Sequence, residues 1–552
     1  MKRIKKLILM VVAVVAISSC DLNKLDNPAL LSAGQADPSL LLNGVQINFA
    51  DFFYNVSDAG MQVSRQIHMY GPVYNNWFLP SYFNYVWQAA YTNILVNTNS
   101  TINLATAKGW KYHTGMAKVF QAYTAMTMVD FFGDVPYSKA LDPTNFNPPA
   151  DKGTDIYAAA LTMLADAKTD FSNVGSAPVP ADLYYGGDAK KWITLINTLQ
   201  LKAAVTKSVV DASGSKSTIN TILATGDIID AADGSEDFVY QYSTNIANPD
   251  SRHPYFSGNY LAGAGTYHSN WLMWNMRYGK PGAIDPRIRY YFYRMTGFID
   301  SSDKTLTNVL PCITQTKPTR YAVNSNWPFC YPKDASGGNE GYWGRDYGDA
   351  SGVGPDTKSR TNWGVYPIGG KYDDSSFVPV TSTDGLQGAG IAPIMLASYV
   401  DFMRAEAALT LGTTGDANAL LNSAVAKSIS RVMNFGAAAT NGSSTVPTTL
   451  DISNYENAVD ALYKAAATND AKLEVIAKEY WIAGFGNGIE IYNMYRRTGG
   501  KPTDMQVALR DPGQFPNTMP YPLVYTAQNN SASSKDFSTK VFWDAATNSK
   551  VN

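Results

Sequence analysis

The sequence predicts a mostly α-helical protein made of helix pairs, with a loop-rich subdomain set into it. Three observations carry this. Apolar residues recur at helical spacing both before residue 226 and after residue 393. The stretch AEAALTLGTTGDANALLNSA (405–424) has small residues at close-packing positions around a Leu-Gly turn, the pattern of a tetratricopeptide-type helix pair. The intervening 226–393 is rich in Gly, Pro, Asn and aromatic residues and carries few helical stripes. No strict repeat is visible, so any solenoid is degenerate.

Taken in chain order, Lys2, Arg3, Lys5 and Lys6 precede an apolar run from Leu7 to Ile17 and the small residues Ser18 and Ser19. This is signal-peptide architecture, and the run is too short to span a bilayer. Ile17-Ser18-Ser19-Cys20 resembles a bacterial lipobox, in which the Cys is acylated and becomes the first residue of the mature chain. Residues 1–19 thus read as a signal peptide and 20–38 as a lipidated Cys20 with a polar tether. No later stretch reaches the length of a membrane helix, so the lipid would be the anchor.

In 39–225, read as an N-terminal helical scaffold, helices are predicted over 85–107, 116–131, 155–170 and 190–210. The second has one stripe, Met116, Val119, Phe120, Tyr123, Met126 and Val129, and stops at Gly133 before Asp134-Val135-Pro136. Within 226–393, the irregular aromatic-rich region, a strand is expected at Phe238–Tyr242 and one helix over 269–278. In 394–552, a C-terminal helical scaffold and tail, helices are predicted over 397–411, 417–432, 455–467, 471–483 and 489–497. Arg496 and Arg497 suit the last helix's negative end, and Gly499-Gly500 ends it.

Composition narrows the function. The 552 residues carry 44 Lys+Arg against 46 Asp+Glu, and removing the four leader cations leaves a mature net charge of −6. That balance argues against nucleic-acid binding, which normally shows a basic excess. Tyr at 35 outnumbers Phe at 22, beside 11 Trp, and such rings with polar tips suit wet binding surfaces. Cys312 and Cys330, 18 residues apart, could pair outside the cytoplasm and would then stabilise by roughly 3 kcal/mol; the sequence leaves pairing and free thiols equally open.

Enzyme motifs are missing. The four histidines, His68, His113, His253 and His268, form no HExxH, and neither GxSxG nor GxxxxGK[ST] occurs, so no catalytic residue, metal site or cofactor is expected. The conspicuous acids Glu406, Glu479 and Glu490 all fall inside predicted helices, where ion pairs or caps explain them. Asp227 to Gly234 has its acids three apart, not the alternate spacing of a calcium loop, and reads as a turn.

Aromatic clusters are the stronger signal. Tyr70, Tyr74, Trp77, Phe78 and Tyr82 lie irregularly around two prolines. Tyr267, Asn270, Trp271, Trp274 and Arg277 form a second group, and Trp327, Tyr342, Trp343, Arg345, Trp363 and Tyr366 a third. Pyranose rings stack their C–H faces on Trp and Tyr while Asn, Asp and Arg bond the hydroxyls; extended peptides use similar equipment.

The ordered pattern resembles the SusD/RagB family of Bacteroidetes outer-membrane lipoproteins. DLNKLDNPALL after Cys20, the helix ending in Gly133-Asp134-Val135-Pro136, KKWITLINTLQLKAAV, Asp285-Pro286-Arg287, APIMLASYVDFMRAEAALTLG, KEYWIAGFGNGIEIYNMYRRTGGKP and the closing Tyr521-Pro522 carry the likeness. Asp401 stands where a Glu is usual, Tyr492 takes the aromatic position before Arg496-Arg497, and the frequent Arg before Tyr521-Pro522 is absent. The resemblance implies a SusD-like fold of degenerate tetratricopeptide-like pairs. It also implies a surface lipoprotein that captures nutrient oligosaccharide or oligopeptide without catalysis and delivers it to a SusC-like TonB-dependent transporter. A platform after the second helix would use Tyr74, Trp77 and Tyr82. Asn270, Trp271, Trp274, Trp343 and Arg345 are the expected ligand contacts in the irregular region. An endo-acting surface glycosidase and a protein-only assembly factor are the alternatives.

Overall fold

The computed structural model describes residues 36–261, 265–297, 312, 315–330, 340–349, 360–545 and 550–551. The signal segment 1–19, Cys20 and most of the tether lie outside them. The fold is mostly α, about 51% helical.

Helix α1 (Pro38–Val63) starts on Asp37, whose carboxylate accepts from the Ser39 amide, with Pro38 at the first helical position. It is followed by α2 (84–107), whose middle, Ala89–Leu95, is π-helical. Helices α3 (Lys111–Phe132), α4 (Gly153–Ser172), α5 (Ala189–Lys207) and α6 (Ala212–Leu223) then pack each on its predecessor. The second half repeats this arrangement with α8 (Ala397–Leu411), α9 (Ala417–Gly436), α10 (Thr449–Ala465) and α11 (Asn469–Ala483). Gly412, at φ 66°, makes the left-handed turn between α8 and α9, and Thr448 and Asp451 close a reciprocal capping box on α10. Between the halves lies α7 (Asn270–Tyr278), and α12 (Gly488–Arg497) closes the helical part.

Two of these labelled helices have no counterpart in the sequence reading. Helix α1 is obscured because its buried face includes Gln46, Ser57 and Gln62 while Leu40 and Ile47 point to solvent. Helix α6 is masked by its Ser- and Gly-rich first turn, which Asp211 caps by accepting from the Gly214 amide.

The halves join at α1. It crosses α12 so closely that a Cβ on Gly60 would lie 2.2 Å from the Gly488 carbonyl oxygen. A short antiparallel pair, β1 (Phe238–Gln241) with β4 (Ile391–Met395), brackets the irregular region, with Tyr240 opposite Ala392. A second pair joins β2 (Phe292–Tyr293) to β3 (Asn362–Trp363).

Buried charges pin these crossings. Glu406 on α8 takes both arms of Arg497 on α12 at 2.8 Å. Lys202 on α5 meets Glu490 on α12 at 2.5 Å, and Lys280 meets Glu479 on α11 at 2.6 Å. The three conspicuous acids are therefore ion-paired in the interior. In Asp285-Pro286-Arg287 the guanidinium grips its neighbour's carboxylate through two bonds of 2.8 and 2.6 Å and reaches Ser428 on α9 at 2.8 Å. Cys312 and Cys330 are disulfide-bonded, with Cα atoms 5.6 Å apart.

Candidate functional site

The last three turns of α1 present Tyr54, Asp58 and Gln62, spaced four apart and so on one helix face, to an open cleft of about 410 Å³. Arg65, at φ 58°, then reverses the chain; its guanidinium donates to the carbonyls of Val63 and Gln506 and lies 3.9 Å from the Tyr347 ring centre. This turn sends residues 66–70 alongside 267–268, where the His68 amide donates to the Tyr267 carbonyl. His68 and Tyr70 thereby reach the cleft wall.

The opposite wall comes from the Pro-flanked turns after Tyr70. Trp77 sits at the end of a one-turn helix, Tyr74–Trp77, and Tyr82 in the 3-10 turn Pro80–Phe83. The Trp77 ring is 5.9 Å from Tyr70 and 6.2 Å from Tyr82. Gly71 permits the approach, since a Cβ there would lie 2.6 Å from the Trp77 Cβ.

A hydrogen-bond relay fixes these rings. Trp77 Nε1 donates to Gln62 Oε1 at 2.5 Å, while Gln62 Nε2 donates to Asp58 at 2.6 Å and to the Tyr82 hydroxyl at 3.0 Å. The Tyr82 and Tyr255 hydroxyls also donate to Asp58, at 2.9 and 2.5 Å. Tyr255 is backed by Trp363, stacked at 4.4 Å, and edged by Tyr54 at 4.8 Å. Burial raises the Asp58 carboxyl above its ordinary range, although all three donors work against that rise. Burial, helped by the Arg345 charge, lowers His68 to about 3, so it is neutral near pH 7.

The expected residues separate into two open clefts and a buried layer. Trp77 and Tyr82 line the first cleft; Trp271 and Trp274 line another, of about 510 Å³. Tyr74 faces inward instead, among Phe78, Tyr347, Phe515 and Phe537, because the one-turn helix puts it on the core side. Asn270, Trp343 and Arg345 are also buried. Asn270 knits two segments together, accepting from the Gly344 amide and donating to Asp346. Arg345 lies 4.6 Å from the ring centre of Tyr267, which packs 5.8 Å from Tyr70, so it supports the first cleft from behind.

Sequence reading missed Tyr54, Asp58, Gln62, His68 and Tyr255 as cleft residues. The four-residue spacing of the first three was a usable signal, but only once α1 is known to be a helix. No group of three or more His, Cys, Asp or Glu suited to a metal occurs among the described residues.

Helix pairs stacked in two halves, carrying a preformed aromatic cleft with one carboxylate at its floor, define a helical-repeat scaffold of ligand-binding type. Residues 29–305 match the family described as SusD-like, starch-binding and associating with the outer membrane, and 372–541 match the SusD and RagB outer membrane lipoproteins. The chain belongs to the SusD/RagB family. Among solved structures it is similar to a chitin-binding SusD homologue from Flavobacterium johnsoniae, at 19% identity over 92% of this chain and 99% of that one, with TM-score 0.64. A SusD/RagB family protein from Bacteroides thetaiotaomicron is 20% identical over 93% and 100%, with TM-score 0.65. A SusD homologue from Bacteroides fragilis is 18% identical over 92% and 99%, with TM-score 0.63. No curated protein matches the chain in sequence. Its family is described as outer-membrane lipoproteins, and no helix among the described residues is long and apolar enough to cross a membrane.

Proposed function

We propose that this protein captures a neutral oligosaccharide at the outer-membrane surface and hands it to a SusC-like TonB-dependent transporter, making and breaking no bond. In this reading 1–19 is removed, Cys20 is acylated and 20–38 tethers the scaffold formed by 39–225 and 394–552, with 226–393 contributing the ligand-facing surface. The relay from Trp77 through Gln62 to Asp58 carries the reading. It fixes an aromatic face beside donors and acceptors through bonds within the protein itself, and such preorganisation lowers the entropic cost of binding. The starch-binding description of the family and the chitin-binding character of the Flavobacterium relative favour a glycan over a peptide.

Asp58 is the only carboxylate lining the first cleft among the described residues, and hydrolysis by the usual glycosidase route needs two. That favours binding over the glycosidase alternative.

Isothermal titration of the mature chain with chitohexaose and maltohexaose tests the proposal. At least one should bind with no release of reducing ends, and Trp77→Ala should weaken it at least tenfold, ~1.4 kcal/mol. Unchanged affinity in both Trp77→Ala and Tyr70→Ala would sink the platform assignment; new reducing ends would sink the non-catalytic one.

A further inference from the structure

The cleft beside α7 shares no lining residue with the first, although residues 265–278 border both. We infer that it is a second, independent saccharide site centred on Trp274. Trp271 stacks on Trp274 at 5.2 Å with planes 13° apart, so a fully buried indole backs a half-buried one. The Lys478 ammonium lies 4.8 Å from the Trp271 ring centre and bonds Asp504 at 2.6 Å. Asn324 and Asn326 complete the polar rim.

The lining chemistry selects the ligand class. Lys478 is paired with Asp504, Lys280 with Glu479, and Glu474 with Lys501 at 3.4 Å, so each charge is already compensated. A charged ligand would have to break one of these pairs. Neutral hydroxyls, each a donor and an acceptor, can instead bond alongside them while a pyranose face lies on the indole.

This inference rests on the saccharide reading of the first cleft, and the test separates the two. Native mass spectrometry counts hexasaccharides bound to the mature chain, using chitohexaose, maltohexaose and cellohexaose. Wild type should hold two, Trp77→Ala and Trp274→Ala one each, and the double variant none, with Trp274→Phe restoring the second. Asn326→Ala, an exposed change independent of core packing, should weaken the second saccharide roughly fivefold, the loss of one neutral hydrogen bond. One bound saccharide, lost in Trp77→Ala and kept in Trp274→Ala, would overturn the second site and leave the first standing. One lost in Trp274→Ala but kept in Trp77→Ala would support the second site and overturn the first. No saccharide bound to wild type would overturn both.

Discussion

Asp58 organises the first cleft through hydrogen bonds more than through charge. Its two oxygens accept from Gln62, Tyr82 and Tyr255, and Gln62 in turn orients Trp77. Asparagine keeps the shape but turns one acceptor into a donor facing other donors. Asp58→Asn should therefore loosen Trp77 and weaken saccharide binding about tenfold, near 1.4 kcal/mol, with stability changed less; titration calorimetry beside urea unfolding separates the effects. Arg287 is the contrasting case, since it lines neither cleft and is wholly buried against Asp285, Ser428 and Tyr455. Arg287→Met strands the Asp285 carboxylate without its counterion and should cost about 3–5 kcal/mol, read from the urea midpoint. At this scale sequence reading separated ring types well but not their exposure. Trp77 and Tyr74 sit three residues apart in one turn, yet one lines a cleft and the other the core. Which ring faces outward depends on the packing of Phe515 and Phe537, far along the chain.

Elements were legible where an apolar run ends on a turn signal, as at Gly412 after α8 and Gly499-Gly500 after α12. Helix α8 has the predicted bounds, and α11 and α12 begin within two residues of theirs. Helix α1 was illegible because, where it crosses α12, glycine and polar groups replace apolar residues: Ser57 Oγ accepts from the Gly488 amide at 2.7 Å and donates to the Gly486 carbonyl at 3.1 Å. That contact also sets the cleft, since α1 continues from Gly60 directly into Gln62. A Cβ on Gly488 would lie 2.1 Å from the Ser57 carbonyl oxygen, and neither backbone has a flexible end to move aside. Gly60→Ala and Gly488→Ala should each destabilise by about 1–3 kcal/mol through overpacking, measured by urea unfolding. Each should also weaken saccharide binding by tilting the row Tyr54, Asp58, Gln62, whereas Gly44→Ala on the same helix, which meets nothing within 4 Å, should do neither.

Across the whole molecule, the buried histidines set the acid limit. His68, His253 and His268 are each lowered from near 6.5 to about 3 by burial, with Arg345 and Arg360 adding to the effect on His68 and His268. The unfolded chain binds three protons over that window that the folded chain refuses, so stability falls as pH drops from 6.5 toward 3. Four carboxyls oppose this. Burial raises Asp237 to about 6, and Asp51, Asp58 and Glu456 are also raised, so the folded chain holds protons on them that the unfolded chain releases. The three histidine shifts span this whole window, whereas among these carboxyls Asp237 is the one placed inside it, at about 6, so the histidines set the direction. His253 links this to the first cleft. Its Nδ1 accepts from the Tyr255 amide at 3.2 Å, which a protonated ring cannot do, and Tyr255 carries the 2.5 Å bond to Asp58. The urea midpoint should therefore be lower at pH 4.5 than at 6.5. His253→Asn, which can accept the same bond without titrating, should reduce the difference by one proton's share. Equal wild-type midpoints at the two pH values would show that the histidines are not held neutral by the fold.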